Sequence, residues 1–500
     1  MRLLLIFICI GLLVKVNAQR SITGIVFIDE NADGIYNKGE QTISDVAISN
    51  QRDVVLSDNK GRYKLPYTGN EFVFVTKPAG YKLKNDSLGY GLFYQPVDKR
   101  KIRKMNFPLY KKEENKTIHT ILVGDPQMAD KVRLDYYRDG SVSHMMKQEA
   151  DFFMVLGDIA DDDPSIFQQE KELMAKLGMD GYHVAGNHDA NYESSEARTH
   201  FKTFKKIYGP DYYSFEYGWA HFVVLNNVNY FGWNSKDNKR GSYFGGVDKQ
   251  QLTWLKNDLS TVSSDKLIII NTHIPLLEEY MDTASIAAIH KLLEPFDNIL
   301  GLSGHLHGVK AYDDDSSTLW NGQGKYESLV VGATCGSWWT GPYTETELPY
   351  ATCTDGTPKG YFILELKAND YNYRFVPELY PEDYQMRISS PKGNVELQDV
   401  EETEVIVNWF VGKEVDKVYM QIDNQTPILM QRFTGVDPFI VASLSKRINN
   451  DHWTPGIVET DHLWKAKLPA DLEKGYHSIF VKAHKKNGHI YKTQKVLEVE

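Results

Sequence analysis

The chain has 500 residues, of which 42% are hydrophobic and 25% are charged, and its formal net charge is −11. This composition excludes large-scale disorder, and the length is too great for one core, so we expect roughly two to four domains. An acidic chain is poorly suited to the phosphate backbone of nucleic acid, so we expect no nucleic-acid-binding surface.

Residues 1–18 have the pattern of a secretory signal peptide. Arg2 is followed by an apolar run of about a dozen residues and then by Val16-Asn17-Ala18, a cleavage pattern of small residues. The run is shorter than the roughly 20 residues that a membrane-spanning helix needs, and no later segment qualifies as one. The pattern therefore predicts export to the periplasm, the cell surface or the medium.

Residues 19–112 show short alternating runs, such as SITGIVFI and EFVFVTK, separated by clusters of Asp, Asn and Gly. This pattern predicts a small β-sandwich. Residues 113–380 instead alternate apolar strands with helix-like stretches, such as QQLTWLKNDL, which is the βαβ rhythm of an α/β domain. Residues 381–500 return to alternating strands and predict a second β-sandwich. The predicted fold class is multidomain, with a central α/β domain of sandwiched sheets and flanking helices between two all-β sandwich domains.

One segment of the first sandwich, DENADGIYNKGE, matches the calcium-loop pattern D-x-[DN]-x-[DN]-G-x₅-E. The pattern places Gly34 at the sharp turn and takes its oxygen ligands from Asp29, Asn31, Asp33 and Glu40. The flanks are strands and not the helices of an EF-hand, and the segment resembles the β-sandwich modules of bacterial surface proteins, in which such a loop ties down a hairpin. Two alternatives stay open, a structural Ca²⁺ site and a polar turn that binds nothing.

Cleavage of the signal would remove Cys9 and leave Cys335 and Cys353. An even pair of cysteines in one segment of an exported chain predicts a disulfide, and a bridge across a loop of this size contributes roughly 3 kcal/mol. The alternative is two separate buried thiols, because the sequence gives no distance between them. We expect the disulfide.

The central domain contains five apolar runs that each end in a polar motif: THTILVGDPQ, DFFMVLGDIAD, GYHVAGNHD, KLIIINTHIP and NILGLSGHLH. Groups just past the carboxyl ends of strands in an open α/β sheet converge on one crevice. The side chains expected to meet there are Asp125, Gln127, Asp158, Asn187, His188, His273, His305 and His307. Taken singly, such residues are usually turn, cap or core residues. Together they are the donors that two oxygen- and nitrogen-ligated divalent ions require.

The ordered motifs GDPQ, GD, GNHD, NTHIP and GHLH resemble those of the calcineurin-like metallophosphoesterases, over roughly residues 117–375. The family pattern D-x-H, GDxx, GNHD, GH, GHxH is matched everywhere except at Gln127, and a D-x-Q variant occurs within the superfamily. The resemblance implies that Asp158 bridges two ions. It also implies a first site that is completed by Asp125, Gln127 and His307, and a second site that is completed by Asn187, His273 and His305.

The same resemblance implies that His188 is not a ligand but approaches the substrate phosphate and the leaving oxygen. Asp189 is a candidate to orient its ring, and the alternative is a simple turn residue. The amide oxygen of Gln127 is a harder and weaker donor than an imidazole nitrogen, which favours Mn²⁺ at the first site, with Fe, Zn²⁺ or Mg²⁺ as alternatives. The alternative for Gln127 itself is a hydrogen bond to a bound water. Trp338, Trp339 and Tyr343 in GATCGSWWTGPY are candidates for an aromatic rim that selects the leaving group, or for core residues at a domain junction.

The sequence therefore predicts an exported hydrolase of phosphoric esters that uses hydroxide activated by two metal ions. A phosphomonoesterase is the first expectation, with a phosphorylated small molecule or glycan as substrate. A phosphodiesterase or pyrophosphatase that acts on nucleotide or glycan-linked phosphate is the second. A surface binding or adhesion module with a vestigial metal site is the alternative from another class, although a vestigial site has no reason to keep the full ligand set.

Overall fold

A computed structural model describes residues 20–100, 104–314, 319–444 and 457–500. The predicted signal peptide lies outside the described residues. In the described ranges, no helix combines the length and the apolar character that a bilayer crossing requires.

The N-terminal part is a sandwich of two four-stranded sheets with the orders β4-β1-β8-β6 and β3-β2-β5-β7. Its strands are β1 Ser21–Ile28, β2 Ala47–Ser49, β3 Val54–Leu56, β4 Arg62–Pro66, β5 Phe72–Val75, β6 Tyr81–Leu83, β7 Tyr94–Pro96 and β8 Phe107–Lys111. Alternate residues of β1, such as Ile22 and Val26, are fully buried in the core together with Phe74 of β5. The period-two pattern of the sequence therefore marks the inner face of this sandwich.

The central part contains two larger sheets with the orders β11-β10-β9-β22-β23 and β12-β13-β18-β19-β21-β20. Its strands are β9 Thr117–Val123, β10 Phe152–Val155, β11 Asp180–His183, β12 Tyr213–Tyr217, β13 Ala220–Val224, β14 Val228–Tyr230, β15 Trp233–Asn234, β16 Lys239–Arg240, β17 Tyr243–Gly245, β18 Leu267–Asn271, β19 Asn298–Ser303, β20 Val309–Asp313, β21 Lys325–Val331, β22 Gly360–Lys367 and β23 Asp370–Pro377. Its helices are α1 Lys131–Tyr136, α2 Ser143–Met145, α3 Phe167–Met174, α4 Lys202–Ile207, α5 Lys249–Leu259 and α6 Thr283–Leu293, and a π-helical segment, Tyr137–Val142, joins α1 to α2.

Strand β10 shows how the two central sheets and the helices are held together. Phe152 points between the sheets, where its ring lies 5.4 Å from that of Phe222 on β13. Phe153, the next residue, belongs to a second core cluster that includes Phe167 of α3 and Phe204 of α4. Both faces of the strand are thus buried, which explains the unbroken apolar run FFMV.

The C-terminal part is a third sandwich, with the sheet orders β24-β25-β29-β28 and β27-β26-β30-β31. Its elements are β24 Met386–Ser390, β25 Glu404–Trp409, β26 Lys417–Ile422, β27 Ile428–Leu429, β28 Gln431–Gly435, α7 Pro438–Leu444, β29 Thr460–Lys467, β30 Gly475–His484 and β31 Ile490–Val499. It is joined to the central part by ion pairs of Lys413 with Glu327 and Asp313, at 2.8 and 2.9 Å. The predicted fold class, an α/β domain between two β-sandwiches, is confirmed.

The predicted disulfide is wrong, because Cys335 and Cys353 are both free and buried. The Cys353 thiol donates to the Ala333 carbonyl at 3.6 Å. The Cys335 sulfur lies instead 3.7 Å from Nδ1 of His307. The two thiols face different partners, so their closeness in sequence does not bring the sulfur atoms into bonding geometry.

The predicted calcium loop is closed by its own hydrogen bonds. Asp29 Oδ2 accepts from the Gly34 N–H at 2.8 Å, and Gly34 makes the sharp turn with φ +79°. Asn31 Oδ1 accepts from the Asp33 N–H at 3.1 Å, and Glu40 Oε2 accepts from the N–H of Asn37 at 2.7 Å. The second oxygen of Asp29 is buried without a hydrogen-bond partner. The groups of three or more His, Cys, Asp or Glu side chains that come within metal-binding range of one another in the described residues both lie in the central part, so calcium at this loop stays a prediction.

Candidate metal centre

The polar motifs of the central part follow the carboxyl ends of five strands that run parallel to neighbours in the two large sheets. In one sheet, β9, β10 and β11 pair in parallel and lead into Asp125, Asp158 and the Asn187–Asp189 turn. In the other sheet, β18 and β19 pair in parallel and lead into His273 and His305. Because parallel strands end at the same edge of a sheet, these side chains reach one crevice.

The predicted second site is built around His273. Its Nε2 lies 3.1 Å from Asp158 Oδ2, 3.0 Å from Asn187 Oδ1 and 3.3 Å from His305 Nδ1. Ligand atoms of Asp158, His273 and His305 all lie within 4.8 Å of one another. The structure therefore brings together all four side chains that were assigned to this site.

The predicted first site adjoins the second through Asp125, whose Oδ1 lies 3.9 Å from Nε2 of His273. The other two ligands predicted for it meet at Cys335, whose sulfur lies 3.9 Å from Gln127 Oε1 and 3.7 Å from His307 Nδ1. Gln127 is also held from its other end, because Nε2 donates to Asp161 Oδ1 at 3.3 Å. The amide nitrogen is thus engaged, and the amide oxygen is the atom left to face an ion.

Two of the three predicted histidine ligands are oriented by backbone carbonyl groups. His273 Nδ1 lies 2.9 Å from the Leu156 carbonyl oxygen, and His307 Nδ1 lies 2.7 Å from the Gly336 carbonyl oxygen. A backbone acceptor at Nδ1 fixes the orientation of each ring and directs Nε2 away from that acceptor, as in a metal-binding histidine. Two carboxylates, two amide oxygens and three imidazoles in one crevice fit a pair of divalent cations.

Backbone strain is concentrated in the same residues. Among the seven predicted ligands, those with positive φ, between +39° and +76°, are Asp125, Gln127, Asp158, His305 and His307. A residue other than glycine in this region costs on the order of 1–3 kcal/mol and persists only where its surroundings fix it. These residues lie in the sharp turns that follow the strands and direct their side chains into the crevice. The strained backbone conformations are therefore located at the predicted metal site.

The buried carboxylates and imidazoles of the crevice shift one another's pKa values. Burial and the nearby Asp158 carboxylate raise the pKa of Asp125 to about 8. Burial acts in the same direction on Asp158, but the positive charge at His273 outweighs it and lowers the pKa of Asp158. Burial lowers the pKa of His305 to about 3 and that of His307 to about 4, which keeps both imidazoles in the neutral form that binds metal.

His188 lies at the wall of the crevice, and its ring is held by Asp162. Nδ1 lies 2.5 Å from Asp162 Oδ1 and 3.4 Å from Asp161 Oδ1. Burial lowers the pKa of His188, but the charges of Asp158 and Asp162 outweigh burial and raise the pKa to about 9. The neighbouring carboxylates therefore favour the protonated form of the ring beside the predicted centre.

Of the two alternatives for Asp189, the structure shows the turn residue, and the expectation that it orients His188 is wrong. The Asp189 carboxylate is fully buried and accepts from the N–H groups of Ala160 at 3.0 Å and Gly186 at 2.8 Å. Ala160 follows Asp158 and Gly186 precedes Asn187, so these two hydrogen bonds stabilise the turns that carry both predicted ligands. Asp162 takes the role at the His188 ring that was expected of Asp189.

A cavity of about 530 Å³ opens beside His188 and Gln127. Its walls include Arg133 and Arg240 as well as Asp161 and Asp162. Arg240 pairs with Asp162, and its guanidinium lies 5.0 Å from the centre of the Tyr192 ring. The cavity thus has room for the organic part of a substrate, and its walls carry two guanidinium groups that pair with Asp130 and Asp162.

The predicted aromatic rim divides into two kinds of residue. Trp338 stacks on His307 with 3.8 Å between ring centroids, and both Trp338 and Trp339 line the cavity. Trp339 is otherwise buried, with its indole N–H donating to the Pro126 carbonyl at 2.9 Å. Tyr343 is 47% exposed and lies against Tyr136, with 6.3 Å between their ring centroids. The tryptophans therefore form one wall of the cavity, whereas Tyr343 belongs to the surface outside it.

Sequence reasoning missed the polar cavity residues. Asp161 and Asp162 stand in the run GDIADDDP directly after a predicted ligand, so the run itself was a usable signal. Arg240 lies on the short β15–β16 hairpin, which carries no recognisable motif. Only the folded chain brings that hairpin to Asp162.

Three family models match the chain in succession. The model described as N terminal of Calcineurin-like phosphoesterase matches residues 30–112, Calcineurin-like phosphoesterase matches residues 118–309, and C terminal of Calcineurin-like phosphoesterase matches residues 328–491. The three models describe consecutive parts of one family of proteins. The chain belongs to the calcineurin-like phosphoesterase family, with the N-terminal and C-terminal companion domains of that family.

A probable glycerophosphodiester phosphodiesterase from Arcobacter nitrofigilis is 25% identical over 186 residues, which are 35% of this chain and 61% of that protein. A dimetal phosphatase from Danio rerio is 16% identical, with 52% of this chain and 95% of that chain covered at a TM-score of 0.35. A purple acid phosphatase from yellow lupin seeds is 11% identical, with 66% of each chain covered at a TM-score of 0.37. The chain therefore spans less than two thirds of its curated relative, and its structural likenesses are distant.

Proposed function

We propose that this protein hydrolyses phosphoric monoesters with two divalent metal ions, which Asp125, Gln127, Asp158, Asn187, His273, His305 and His307 hold. The observation that supports the proposal is that all these side chains reach one crevice. Backbone carbonyl groups contact Nδ1 of both His273 and His307 and orient the two rings. When bound, such ions lower the pKa of a water and neutralise phosphoryl oxygens.

His188 is the group that we assign to the leaving oxygen. Asp162 holds its Nδ1, so the opposite edge of the protonated ring can donate a proton in the cavity. General acid catalysis of this kind contributes about 10²–10⁴-fold to a rate. Trp338 and Trp339 form an apolar wall beside it, against which the organic part of the ester can pack.

We further propose Mn²⁺ as the preferred ion of the first site. Gln127 supplies an oxygen where the family pattern has an imidazole, and oxygen donors favour Mn²⁺ over Zn²⁺. Fe, Zn²⁺ and Mg²⁺ are the alternatives, and metal content of the purified protein decides among them.

For the loop at Asp29–Glu40 we propose a structural Ca²⁺. The motif is complete, and the buried Asp29 Oδ1 without a hydrogen-bond partner is an oxygen that a cation would satisfy. The ion would stabilise the first sandwich and take no part in hydrolysis. Export, on the pattern of residues 1–18, gives this loop the extracellular calcium that weak sites of this kind need.

A phosphodiesterase is the second candidate, because the relative from Arcobacter nitrofigilis is described as a probable glycerophosphodiester phosphodiesterase. Pyrophosphatase activity remains an alternative within the same chemistry. A binding module with a vestigial centre is disfavoured, since the ligand set is whole and backbone carbonyls orient the rings of His273 and His307.

A substrate screen tests the proposal. The metal-stripped protein, reloaded with Mn²⁺, is assayed against phosphomonoesters that include sugar phosphates, against phosphodiesters and against pyrophosphates. We expect the highest kcat/KM for a monoester. Turnover restricted to diesters would replace the first candidate with the second, and turnover of none would reject both.

A further inference from the structure

The turn that carries the predicted ligand His307 is held by hydrogen bonds to the loop of residues 353–357. Thr354 donates to the His307 carbonyl oxygen twice, from its N–H at 3.0 Å and from its hydroxyl at 3.1 Å. Asp355 Oδ2 accepts from the N–H of Val309 at 2.7 Å. The backbone on both sides of Gly308 is therefore fixed by two neighbouring residues of one loop.

The C-terminal sandwich holds that same loop from the other side. His462 on β29 places Nε2 3.1 Å from Asp355 Oδ2 and Nδ1 2.8 Å from Asn408 Oδ1 on β25. Asn408 in turn donates from Nδ2 to the Asp355 carbonyl oxygen at 3.0 Å. All three residues are at least 98% buried, so water does not compete for these hydrogen bonds.

The approach of the loop to the C-terminal sandwich is too close for any side chain at Gly356. This glycine has φ +88°, and a Cβ atom there would lie 2.2 Å from Asp437 Oδ2 and 2.9 Å from Asn408 Nδ2. Arg387 on β24 donates to the Gly356 carbonyl oxygen at 2.6 Å. The contact is thus a fitted polar junction, and a displacement of the sandwich must move the loop.

The two predicted ion sites differ in this respect. The second-site ligands are held by groups of the central part. His273 Nδ1 lies 2.9 Å from the Leu156 carbonyl oxygen, and the Tyr192 hydroxyl donates to the Asn187 carbonyl at 2.7 Å. His305 lies on the same turn as His307, but its N–H donates to Asp125 Oδ2 at 2.9 Å. The backbone of His307 depends instead on a loop that the C-terminal sandwich clamps.

From these contacts we infer that the C-terminal sandwich is a positioning domain for the first metal site, with His462 acting through Asp355 to hold the turn that carries His307. The inference rests on the proposed dimetal function. It gives the companion domain a part in building the centre, and it makes His462 and Asp355 positioning residues that do not touch the substrate.

The inference is tested with the metal-stripped full chain by calorimetric titration with Mn²⁺, alongside the melting temperature. For His462→Ala we expect one of the two sites to bind Mn²⁺ about tenfold more weakly, the size of effect that loss of an outer-shell partner gives. The other site should keep its affinity. A Gln127→Ala variant, weakened at the first site by design, identifies which of the two has changed.

Two further variants make the result specific. His462→Gln keeps an N–H that can reach Asp355 and should restore most of the lost affinity. His477→Ala is the matched control. His477 belongs to the same sandwich but lies on β30, in the sheet that does not contain His462, and its Nδ1 lies 2.7 Å from Asp423 Oδ2. Both sites should bind Mn²⁺ normally in that control.

Equal weakening of both sites in His462→Ala, or unchanged affinities with a lowered melting temperature, would overturn the inference and leave a purely structural junction. A wild-type chain that binds no Mn²⁺ would instead reject the proposed function. If His462→Ala does not fold, Thr354→Val decides by the same titration, because it removes only the hydroxyl contact to the His307 carbonyl. An unchanged first site in Thr354→Val would then overturn the inference.

Discussion

Gln127 stands where the family pattern has a histidine, and its surroundings show how a glutamine serves there. Its amide nitrogen donates to Asp161 and its oxygen faces Cys335 and the crevice. An imidazole could also donate one ring N–H to Asp161 and bind an ion through its other nitrogen, but it would be a softer donor. The side chain therefore couples the first site to the acidic run that holds His188.

Replacement of Gln127 tests whether its side chain binds a metal ion. We expect Gln127→Ala to lose Mn²⁺ from the first site while the second stays filled, with activity that recovers in part at high Mn²⁺ by mass action. Gln127→His should stay active and shift its preference toward Zn²⁺ or iron, because imidazole is the softer donor. Metal content per chain and turnover against each ion are the measurements. Two ions and an unchanged metal profile in Gln127→Ala would show that the glutamine is not a ligand.

His188 is expected to act on the leaving group without holding metal. His188→Ala should keep both ions and lower kcat by roughly 10²–10⁴-fold, least for esters whose leaving group needs no proton. Asp162→Asn should lower kcat in the same direction by a smaller factor, because it weakens the contact to Nδ1. The matched control is Asp163→Asn, in which the new amide can still cap Ser165. Loss of an ion from His188→Ala would make His188 a ligand instead.

The Asp29–Glu40 loop gives a prediction for one element of the first sandwich. Millimolar Ca²⁺ should raise the melting temperature of chelator-treated protein and leave kcat with Mn²⁺ unchanged, because the ion binds only the folded loop. The double variant Asp33→Asn, Glu40→Gln should lose this shift. Asp58→Asn, in a neighbouring turn closed by its own hydrogen bonds to Arg62, should retain it. Equal melting temperatures with and without Ca²⁺ in the wild type would leave the loop as a bare turn.

The strands that position the centre were readable in the sequence because both faces of β10 and its neighbours are buried, which gives unbroken apolar runs followed by polar motifs. The cysteine pair was misjudged for a physical reason. Spacing along the chain says nothing of the sharp turn at Gly336, with φ +56°, that directs Cys335 to the metal crevice. The β15–β16 hairpin was equally invisible, because no periodic pattern distinguishes its short strands from a loop.

Across the whole molecule, the order of three domains and the convergence of strand ends followed from composition and motif order alone. What the sequence could not supply is contact between distant segments. Asp162 displaced Asp189 as the partner of His188, since the choice depends on how the turn after β10 folds against the turn after β11. The clamp from His462 to Asp355 likewise joins residues 107 positions apart.

The central claim is that one buried crevice holds two catalytic metal ions bridged by Asp158. The most direct test measures metal per chain and phosphomonoester turnover for the wild type, for chelator-treated wild type and for Asp158→Asn. We predict two ions per chain and full turnover in the wild type. Chelator-treated wild type should have no bound ions and no turnover, and added Mn²⁺ should restore both. In Asp158→Asn, turnover should fall by more than the roughly 10–100-fold that loss of an outer-shell partner costs. The reason is that two cations without their bridging carboxylate repel each other. Full turnover after chelation, or in Asp158→Asn with its metal content unchanged, would contradict the dimetal account.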